Sequence, residues 1–290
     1  MHRNDIHIRD PFILPYEGQY YLYASNWPHG FKAYSSKDLE SWSTPVEIIR
    51  FSEDFWAKLD FFAPEVHIYN GSFYLFATLR SDTSYRGIQI FKAASPLGPF
   101  TAISDGPVTP SDWSCLDGTL YVSSKGTPYM VFCHEWTQIK NGTVCYAQLS
   151  DDLTHFVNEP KTMFSARDYS FVKHITDDTE NFVTDGPFLY RCQNGDLLLL
   201  WSSFGKEGYL QSVLKSDNGE IDGNWIAQPL LFEKDGGHGM LFHTFDGTLK
   251  LALHTPNRPA GAERMALFDI TEDNGTLVIT SSTQGFKALP

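Results

Sequence analysis

The sequence predicts an all-β fold, a five-bladed β-propeller with its active site at the central axis, and three observations lead to it. One pattern returns five times: a polar or acidic opening, an apolar strand, a tight turn and a second aromatic strand. The turns carry hairpin signals, of which Asn70-Gly71 is the strongest. Helical periodicity is nearly absent. Repeats of paired strands at this length are typical of propeller blades arranged around one axis.

The repeats begin about 53 residues apart, except for one longer interval before the fourth copy. That interval holds an insertion, residues 165–183, which could shape a site from one rim of the propeller or could be a surface loop without a role. All-β propellers reach this length as one unit, so residues 1–290 are predicted to form a single domain. The openings are Arg9-Asp10-Pro11, Ala63-Pro64-Glu65, Leu116-Asp117-Gly118, Asp185-Gly186-Pro187 and Gly237-His238-Gly239.

Each copy contains a predicted hairpin followed by a third strand. A glycine lies in every hairpin turn, which suits the backbone of tight turns. The predicted strands cover residues 11–14, 20–24 and 31–34, then 66–69, 73–77 and 88–91, then 120–122, 129–133 and 143–146, then 188–190, 197–201 and 209–213, and finally 240–242, 249–253 and 265–268.

The composition excludes two classes of partner. The formal net charge is −13 and the pI is near 5.1. No cluster of Lys and Arg is present of the kind that binds phosphate backbones or anionic membrane surfaces. We therefore expect neither nucleic acid nor a membrane as a partner. Aromatic residues make up 15% of the chain, and they serve as strand packing residues and as platforms for the apolar faces of sugars.

The cysteines and the first residues bear on the cellular compartment. Cys115, Cys133, Cys145 and Cys192 show no CxxC spacing, and we interpret them as free, mostly buried thiols. Residues 1–5 are not followed by an apolar run, so no secretory signal is recognised. This predicts a cytoplasmic location, or a secreted or periplasmic one if a signal has been removed. No apolar stretch is long enough to span a bilayer.

Hairpin geometry predicts where the acidic openings meet. The first residue of an innermost strand and the last residue of the second strand lie at the same end of a hairpin. An Asp in such a place could instead be a turn former, but turn formation does not require the same phase in every copy. Crowded carboxylates repel one another, so separate acid and base roles become possible. The rule places Asp10, Glu65, Asp117, Asp185 and His238 in one ring, beside Trp27, Arg80, Glu135, Ser203 and His254.

These motifs resemble those of glycoside hydrolase family 43, whose members are five-bladed propellers that release xylose or arabinose from plant polysaccharides. Arg9-Asp10-Pro11-Phe12 with Tyr20-Tyr21-Leu22-Tyr23 is similar to the first-blade signature of that family, and Ala63-Pro64-Glu65-Val66 to its second-blade motif. The resemblance covers nearly the whole chain. It implies an oligosaccharide or polysaccharide substrate and inverting hydrolysis, in which two carboxyls about 6.5 to 9.5 Å apart act on the leaving oxygen and on water.

The resemblance also implies catalytic roles. Asp10 would be the general base that activates water, and Asp117 would tune the pKa and orientation of the proton donor. Asp185 occupies the position of the family's general acid, although it is one methylene shorter than the usual Glu. Glu135 is the second candidate for this acid, and Glu65, whose position in the family more often binds substrate, is the third.

Further contacts are predicted around the cavity. Arg9 and Arg80 could hold a hydroxyl or a carboxylate, and Arg9 could equally pair with a neighbouring acid. By the resemblance, His238 faces a central water or calcium ion, which makes it a substrate-binding residue and a possible indirect metal contact; no cofactor is required. The candidates for sugar stacking are Trp27, Phe61, Phe62, Trp113, Trp136 and Tyr169.

Two other functions remain open at this point. The short Asp185 would suit a carbohydrate-binding propeller with impaired catalysis, which holds polysaccharide without releasing product. A propeller glycosidase of another sugar class, acting on galactose-type or fructose-type sugars, would have similar blades. A protein-interaction propeller is disfavoured, because such a surface has no reason to surround the axis with acids.

Overall fold

The structure is a computed structural model that describes residues 1–25 and 30–282. Within these residues the strands form five antiparallel four-stranded sheets, each built from consecutive strands, so the predicted five-bladed propeller is confirmed. The first two blades contain β1 (Arg9–Tyr16), β2 (Gln19–Ser25), β3 (Gly30–Ser36), β4 (Val46–Arg50), β5 (Leu59–Tyr69), β6 (Ser72–Arg80), β7 (Gly87–Ala93) and β8 (Thr101–Ala102).

The other three blades follow the same order from the axis outward. They contain β9 (Cys115–Val122), β10 (Pro128–His134), β11 (Thr143–Gln148), β12 (Lys161–Ser165), β13 (Asp185–Arg191), β14 (Leu197–Gly205), β15 (Gly208–Ser216), β16 (Trp225–Ala227), β17 (Gly237–His243), β18 (Leu249–Thr255), β19 (Arg264–Asp273) and β20 (Thr276–Ser282).

The hydrophobic core lies between neighbouring blades, because each sheet packs a face on the next one. The second strand of a blade is covered on both faces, which explains why β14 begins with four leucines and a tryptophan and is buried from Leu197 to Ser203. The predicted Asn70-Gly71 turn joins β5 to β6, with φ of 46° and 73° at its two residues. Positive φ at both positions matches the twist of a two-residue hairpin.

The ring closes between the first and fifth blades without a shared strand, since β17 packs directly on β1. The Ile8 N–H donates to the Glu263 carbonyl at 3.3 Å, and Arg264 Nε donates to the Asn4 carbonyl at 2.8 Å. Arg9 Nη1 pairs with the Glu263 carboxylate at 3.0 Å. These contacts hold the start of β1 against the β18–β19 connection, immediately before Asp10.

Helical structure is limited to short segments in the described part of the chain. Arg3–Asp5 and Ala166–Asp168 are 3-10 turns, and α1 (Trp136–Ile139) is a single α-helical turn. None of the helices in residues 1–25 and 30–282 has the length and apolar character needed to cross a membrane. The four cysteines are free and buried, as predicted.

Candidate active site

A cavity of about 750 Å³ opens at the axis, where the innermost strands begin. Its volume lies within the range of small-molecule sites. The residues lining it come from blades that are far apart in the sequence, as the repeat predicts. Among the predicted candidates, two aromatic and six charged or titratable residues line it: Phe61, Phe62, Arg9, Asp10, Asp117, Glu135, Asp185 and His238. Trp27 lies outside the described residues.

A β-bulge at the start of each innermost strand turns side chains toward the axis. The pairing with the second strand shifts at this point in every blade. Bulges are frequent beside active sites because they re-aim side chains, and positive φ in a residue with a side chain marks a strained position. The bulged residues are Asp10, Ala63, Asp117, Gly186 and His238, with φ of 51°, 42°, 57°, 51° and 53°.

The phase of the repeat differs from the predicted one at two positions. Glu65 lies two residues after the bulged Ala63, and Asp185 lies one residue before Gly186. Asp185 still lines the cavity, whereas Glu65 lies farther along its strand, where its carboxylate bonds His67 Nε2 at 2.9 Å. The sequence does carry a signal for the position of each bulge, because a proline or glycine directly follows every bulged residue: Pro11, Pro64, Gly118, Pro187 and Gly239.

Asp10 is surrounded by hydrogen-bond donors and positive charge. Ser25 Oγ donates to Asp10 Oδ2 at 2.8 Å, and His238 Nδ1 lies 3.1 Å from Asp10 Oδ1. Burial by itself would raise the pKa of Asp10, but the His238 imidazolium, the Arg9 guanidinium and the Ser25 hydroxyl outweigh it and lower this pKa to about 2. Asp10 is therefore an ionised carboxylate at neutral pH, which is the state that a general base requires.

Asp117 and Asp185 are two buried carboxyls whose pKa values are shifted upward, in the direction opposite to that of Asp10. Burial raises the pKa of both, and the negative charge of Asp10 adds to the rise. The Gly186 N–H donates to Asp117 Oδ2 at 2.9 Å, and the Tyr209 hydroxyl donates to Asp185 Oδ2 at 3.0 Å. Together the two carboxyls can keep a proton at a pH where an ordinary Asp has lost it, as a general acid requires.

His238 supplies a cation between the carboxylates. Burial would lower its pKa, but Asp10 and Asp117 raise it, and its Nδ1 lies 3.1 Å and 3.7 Å from their respective oxygens. Gly186 packs on the imidazole so closely that a Cβ there would lie 2.8 Å from the ring. His254 behaves differently: burial lowers its pKa to about 4, so at neutral pH its Nδ1 accepts from the Asp10 N–H at 3.3 Å.

The family resemblance predicts a central calcium ion in indirect contact with His238. Among the described residues no group of three or more His, Cys, Asp or Glu side chains is arranged to hold a metal ion. His238 Nδ1, the atom nearest the carboxylates, already pairs with Asp10. The described residues therefore do not form a direct coordination site, and the indirect contact between His238 and a central ion stays a prediction.

Glu135 also lines the cavity, but both of its carboxylate oxygens are engaged. Arg86 Nη1 lies 2.5 Å from Oε1, and Ser114 Oγ donates to Oε2 at 2.8 Å. Arg86 is fixed in turn by Asp60, whose Oδ2 lies 2.8 Å from Arg86 Nε. Both Glu135 oxygens are therefore engaged by the cavity wall, whereas within the described residues the side-chain hydrogen bond to Asp185 is the one from Tyr209 to Oδ2.

Two further candidates do not line the cavity among the described residues. Arg80 Nε lies 2.5 Å from Asp60 Oδ2, the same oxygen that contacts Arg86 Nε, so Arg80 pairs with Asp60 and does not line the cavity. Trp136 opens α1 directly after the lining residue Glu135 and is partly buried, but it is not itself among the residues that line the cavity. Their predicted direct contact with substrate is therefore not supported by this geometry.

The aromatic candidates divide in the same way. Phe61 and Phe62 line the cavity, where Phe62 is 38% exposed and has the Arg86 guanidinium 5.7 Å from its ring centroid. Trp113 stacks on His134 with 4.2 Å between ring centroids. Tyr169 donates to the Trp225 carbonyl at 2.8 Å. The insertion that contains Tyr169, residues 165–183, contributes no lining residue within the described chain, so it does not shape the site directly.

Several polar residues in and around the site were not predicted, among them Ser25, Ser202 and Tyr209. Ser25 pairs with Arg9 and Ser202 with Asp185. In the fourth blade the predicted residue was Ser203, one position later, and in the first blade it was Trp27, which lies outside the described residues. What identifies both serines is that each one pairs with the innermost-strand residue immediately before a bulge. Tyr209 lies on a third strand, β15, which the hairpin rule does not cover.

Residues 5–273 match the sequence profile of the Glycosyl hydrolases family 43. The family resemblance inferred from the motifs is thereby confirmed. No curated relative matches the chain.

Solved structures give similar results. The endo-arabinase from Bacteroides thetaiotaomicron VPI-5482 is 36% identical with a TM-score of 0.91, and the match covers 95% of this chain and 98% of that one. An endo-1,4-beta-xylanase from the same organism is 25% identical with a TM-score of 0.79, covering 95% of each chain. The alpha-L-arabinofuranosidase from Lactobacillus brevis, at 19% identity and a TM-score of 0.77 over 96% of this chain and 97% of that one, shares the fold.

Proposed function

The chain belongs to glycosyl hydrolase family 43, and from this membership we propose that it is an inverting glycosidase that cleaves arabinofuranosyl linkages in arabinan-type oligosaccharides or polysaccharides. Identity of 36% to an endo-arabinase over 95% of this chain favours arabinan as the substrate. Xylan is the second candidate, since a xylanase is 25% identical over a similar span. Both substrates are polymers of pentoses, so the proposal keeps one sugar class.

One observation carries the proposal: a single cavity holds a carboxylate that stays ionised and a pair of carboxyls that together retain a proton. Asp10, with its pKa lowered to about 2, would accept a proton from the attacking water. Asp185, whose pKa is raised, would donate a proton to the leaving oxygen. Asp117 lies beside Asp185 and would set the protonation and orientation of this donor.

The proposed step balances as a direct displacement. The water oxygen forms a bond to the anomeric carbon while the bond from that carbon to the leaving oxygen breaks. One water proton passes to Asp10, and the proton of Asp185 passes to the leaving oxygen. Because water attacks from the side opposite the leaving group, the product has the inverted anomeric configuration.

Other lining residues would bind the sugar. Phe62 offers an exposed ring face for the apolar side of a pentose, and Phe61 lies next to it in the cavity wall. Arg9 is positioned by Glu263 and by Asn257, whose Oδ1 accepts from Arg9 Nη2 at 2.9 Å. A guanidinium fixed on one side can donate from its remaining edge to a sugar hydroxyl.

The proposed function is tested by following product formation with proton NMR during incubation with linear arabino-oligosaccharides and xylo-oligosaccharides. We expect arabinose or shorter arabino-oligosaccharides, formed first as the anomer opposite in configuration to the cleaved bond. Initial release of the retained anomer would contradict the inverting mechanism. Polysaccharide binding without product would indicate a binding protein, and turnover only of aryl galactosides or fructosides would indicate another sugar class.

The pH dependence of kcat/KM should carry the signature of the three acids. An unperturbed Asp has a pKa near 3.9, but burial and neighbouring charge raise the pKa of Asp185 and Asp117. We expect kcat/KM to fall as pH rises through this raised pKa, well above pH 4, and to show no loss on the acid side until pH approaches the pKa of Asp10 near 2.

A variant distinguishes the contributions of the two carboxyls whose pKa values are raised, Asp117 and Asp185. Asp117→Asn removes a neighbouring negative charge from Asp185, so the alkaline limb should move toward lower pH while residual activity persists. An alkaline limb in the wild type near the ordinary carboxyl range, or one that Asp117→Asn leaves in place, would contradict the assignment of the proton to this pair.

A further inference from the structure

Second-strand side chains connect each blade to the next around the axis. In each blade, one residue of the second strand pairs with the innermost-strand residue that immediately precedes the bulge. The side chain of this second-strand residue accepts a hydrogen bond from a backbone N–H of the next blade, that of the bulged residue. Within the described chain these acceptors are Ser25 for Ala63 (2.6 Å), Thr78 for Asp117 (2.9 Å), Ser202 for His238 (2.7 Å) and His254 for Asp10 (3.3 Å).

The third blade departs from this rule. Cys133 occupies the equivalent position, since it pairs with Leu116, the residue before Asp117. A thiol is a weak hydrogen-bond acceptor, and the fully buried Cys133 Sγ is near the Thr184 hydroxyl instead. The Gly186 N–H, which would otherwise bond this position, donates to Asp117 Oδ2 at 2.9 Å.

We propose that Cys133 is a positioning residue: because it offers the Gly186 N–H no good acceptor, that donor binds Asp117 and fixes the orientation of its carboxylate beside Asp185. The inference rests on the proposed function, in which Asp117 prepares the proton donor. The titratable groups that face Asp117 come from several blades and stay the same when Cys133 is changed: Asp10 on β1, Asp185 on β13, Tyr209 on β15 and His238 on β17.

The register explains why sulfur matters at this place. Hydroxyl oxygens at the equivalent positions reach the next blade's N–H at 2.6 to 2.9 Å, so a hydroxyl at residue 133 has the same donor within reach. A hydrogen bond from an N–H to a carboxylate favours the ionised form. Losing it would leave Asp117 free to rotate and to keep the proton that Asp185 needs for the leaving group.

The test uses Cys133→Ser and Cys133→Thr, which introduce the competing acceptor, against Cys133→Ala, which introduces none. Labelling Asp carbonyls with ¹³C and Gly amides with ¹⁵N restricts the NMR spectrum to the six Asp-Gly pairs of the chain, one of which is Asp185-Gly186. We expect the Gly186 amide proton to resonate far downfield in the wild type and in Cys133→Ala. In the two hydroxyl variants it should move upfield.

Turnover gives the second readout. We expect kcat to fall about tenfold in the hydroxyl variants with KM unchanged, the rate equivalent of one hydrogen bond to a charged group, and to fall much less in Cys133→Ala. Cys145→Ser is the matched control, because it places a hydroxyl at another fully buried thiol of the same blade, where Thr143 and Thr162 are the neighbours.

The outcomes separate this inference from the function on which it rests. Equal loss of kcat in Cys133→Ala and the hydroxyl variants, or a Gly186 resonance that none of them moves, would overturn the role of Cys133. If the wild type hydrolyses no pentose oligomer, the proposed function fails, and the position of the Gly186 resonance still decides whether residue 133 controls the hydrogen bond to Asp117. Thermal unfolding identifies any variant that has lost the fold.

Discussion

Replacing Asp10 with asparagine is expected to lower kcat on arabino-oligosaccharides by about a thousandfold, because the amide cannot accept the proton of the attacking water. The amide oxygen can still accept from Ser25 Oγ, which lies 2.8 Å from Asp10 Oδ2, so the contact with the second strand survives. The Asp10 N–H keeps its bond to His254. Binding of an oligosaccharide, measured by calorimetry, should persist because the shape of the cavity is retained.

A control variant separates proton transfer from positioning. Ser25→Ala retains the Asp10 carboxylate but removes one donor to it and the acceptor for the Ala63 N–H. We expect a loss of roughly tenfold, the size of one hydrogen bond to a charged group. If Asp10→Asn hydrolyses oligosaccharides at a rate near the wild type, Asp10 is not the base. If it loses binding together with turnover, its role is structural.

The sequence was sufficient to predict the propeller because its signals are local and repeated. Asn70-Gly71 and the other glycine turns define hairpins, and strands buried on both faces appear as apolar runs such as residues 197–201. Each blade consists of consecutive strands, so no long-range pairing had to be inferred. The repeat period then gave the number of blades.

The site was predicted less completely, because a hairpin rule locates the end of a blade but not the rotation of each side chain. A shift of one residue turns a strand side chain to the other face, and the bulges shift the register at this very place. Asp10, Asp117 and His238 lie on the bulges and were placed correctly in the ring. Glu65 lies two residues after its bulge, does not line the cavity and bonds His67.

Partners from other strands could not be predicted from the hairpins. Tyr209 reaches Asp185 from a third strand, and Arg86 reaches Glu135 from the connection before β7. In both contacts the two residues occupy different positions within the repeated unit, so the repeat in the sequence does not indicate that they meet. They also favour Asp185 over Glu135 as the proposed acid, since Arg86 and Ser114 engage both Glu135 oxygens and Tyr209 bonds Oδ2 of Asp185.

Replacing Asp185 with asparagine is the second change of large expected effect. An asparagine cannot protonate the leaving oxygen, so kcat on arabino-oligosaccharides should fall by about a thousandfold. A dinitrophenyl arabinofuranoside has a leaving group that departs without a proton, and the loss on this substrate should stay within about tenfold. Asp10→Asn should lose activity on both substrates, because water must be activated in either case.

Glu135→Gln is the matched control, since it changes another carboxyl of the same cavity. Its carboxylate is paired with Arg86 and Ser114, so the substitution should disturb packing in the cavity wall and lower turnover on both substrates to a similar extent. A loss in Glu135→Gln that is large on oligosaccharides and small on the dinitrophenyl substrate would transfer the acid role to Glu135. Near-normal activity of Asp185→Asn would point the same way.

Asp185→Glu tests whether the short side chain is matched to its surroundings. Tyr209 holds Asp185 Oδ2 at 3.0 Å and is itself buried, stacked on His254 with 5.5 Å between ring centroids. An added methylene would push the carboxyl past this donor and toward the sugar, so we expect Asp185→Glu to retain a proton donor but to turn over more slowly than the wild type. Faster turnover by Asp185→Glu would show that Asp185 stands too far from the leaving oxygen, and that the wild-type site works with an incompletely placed acid.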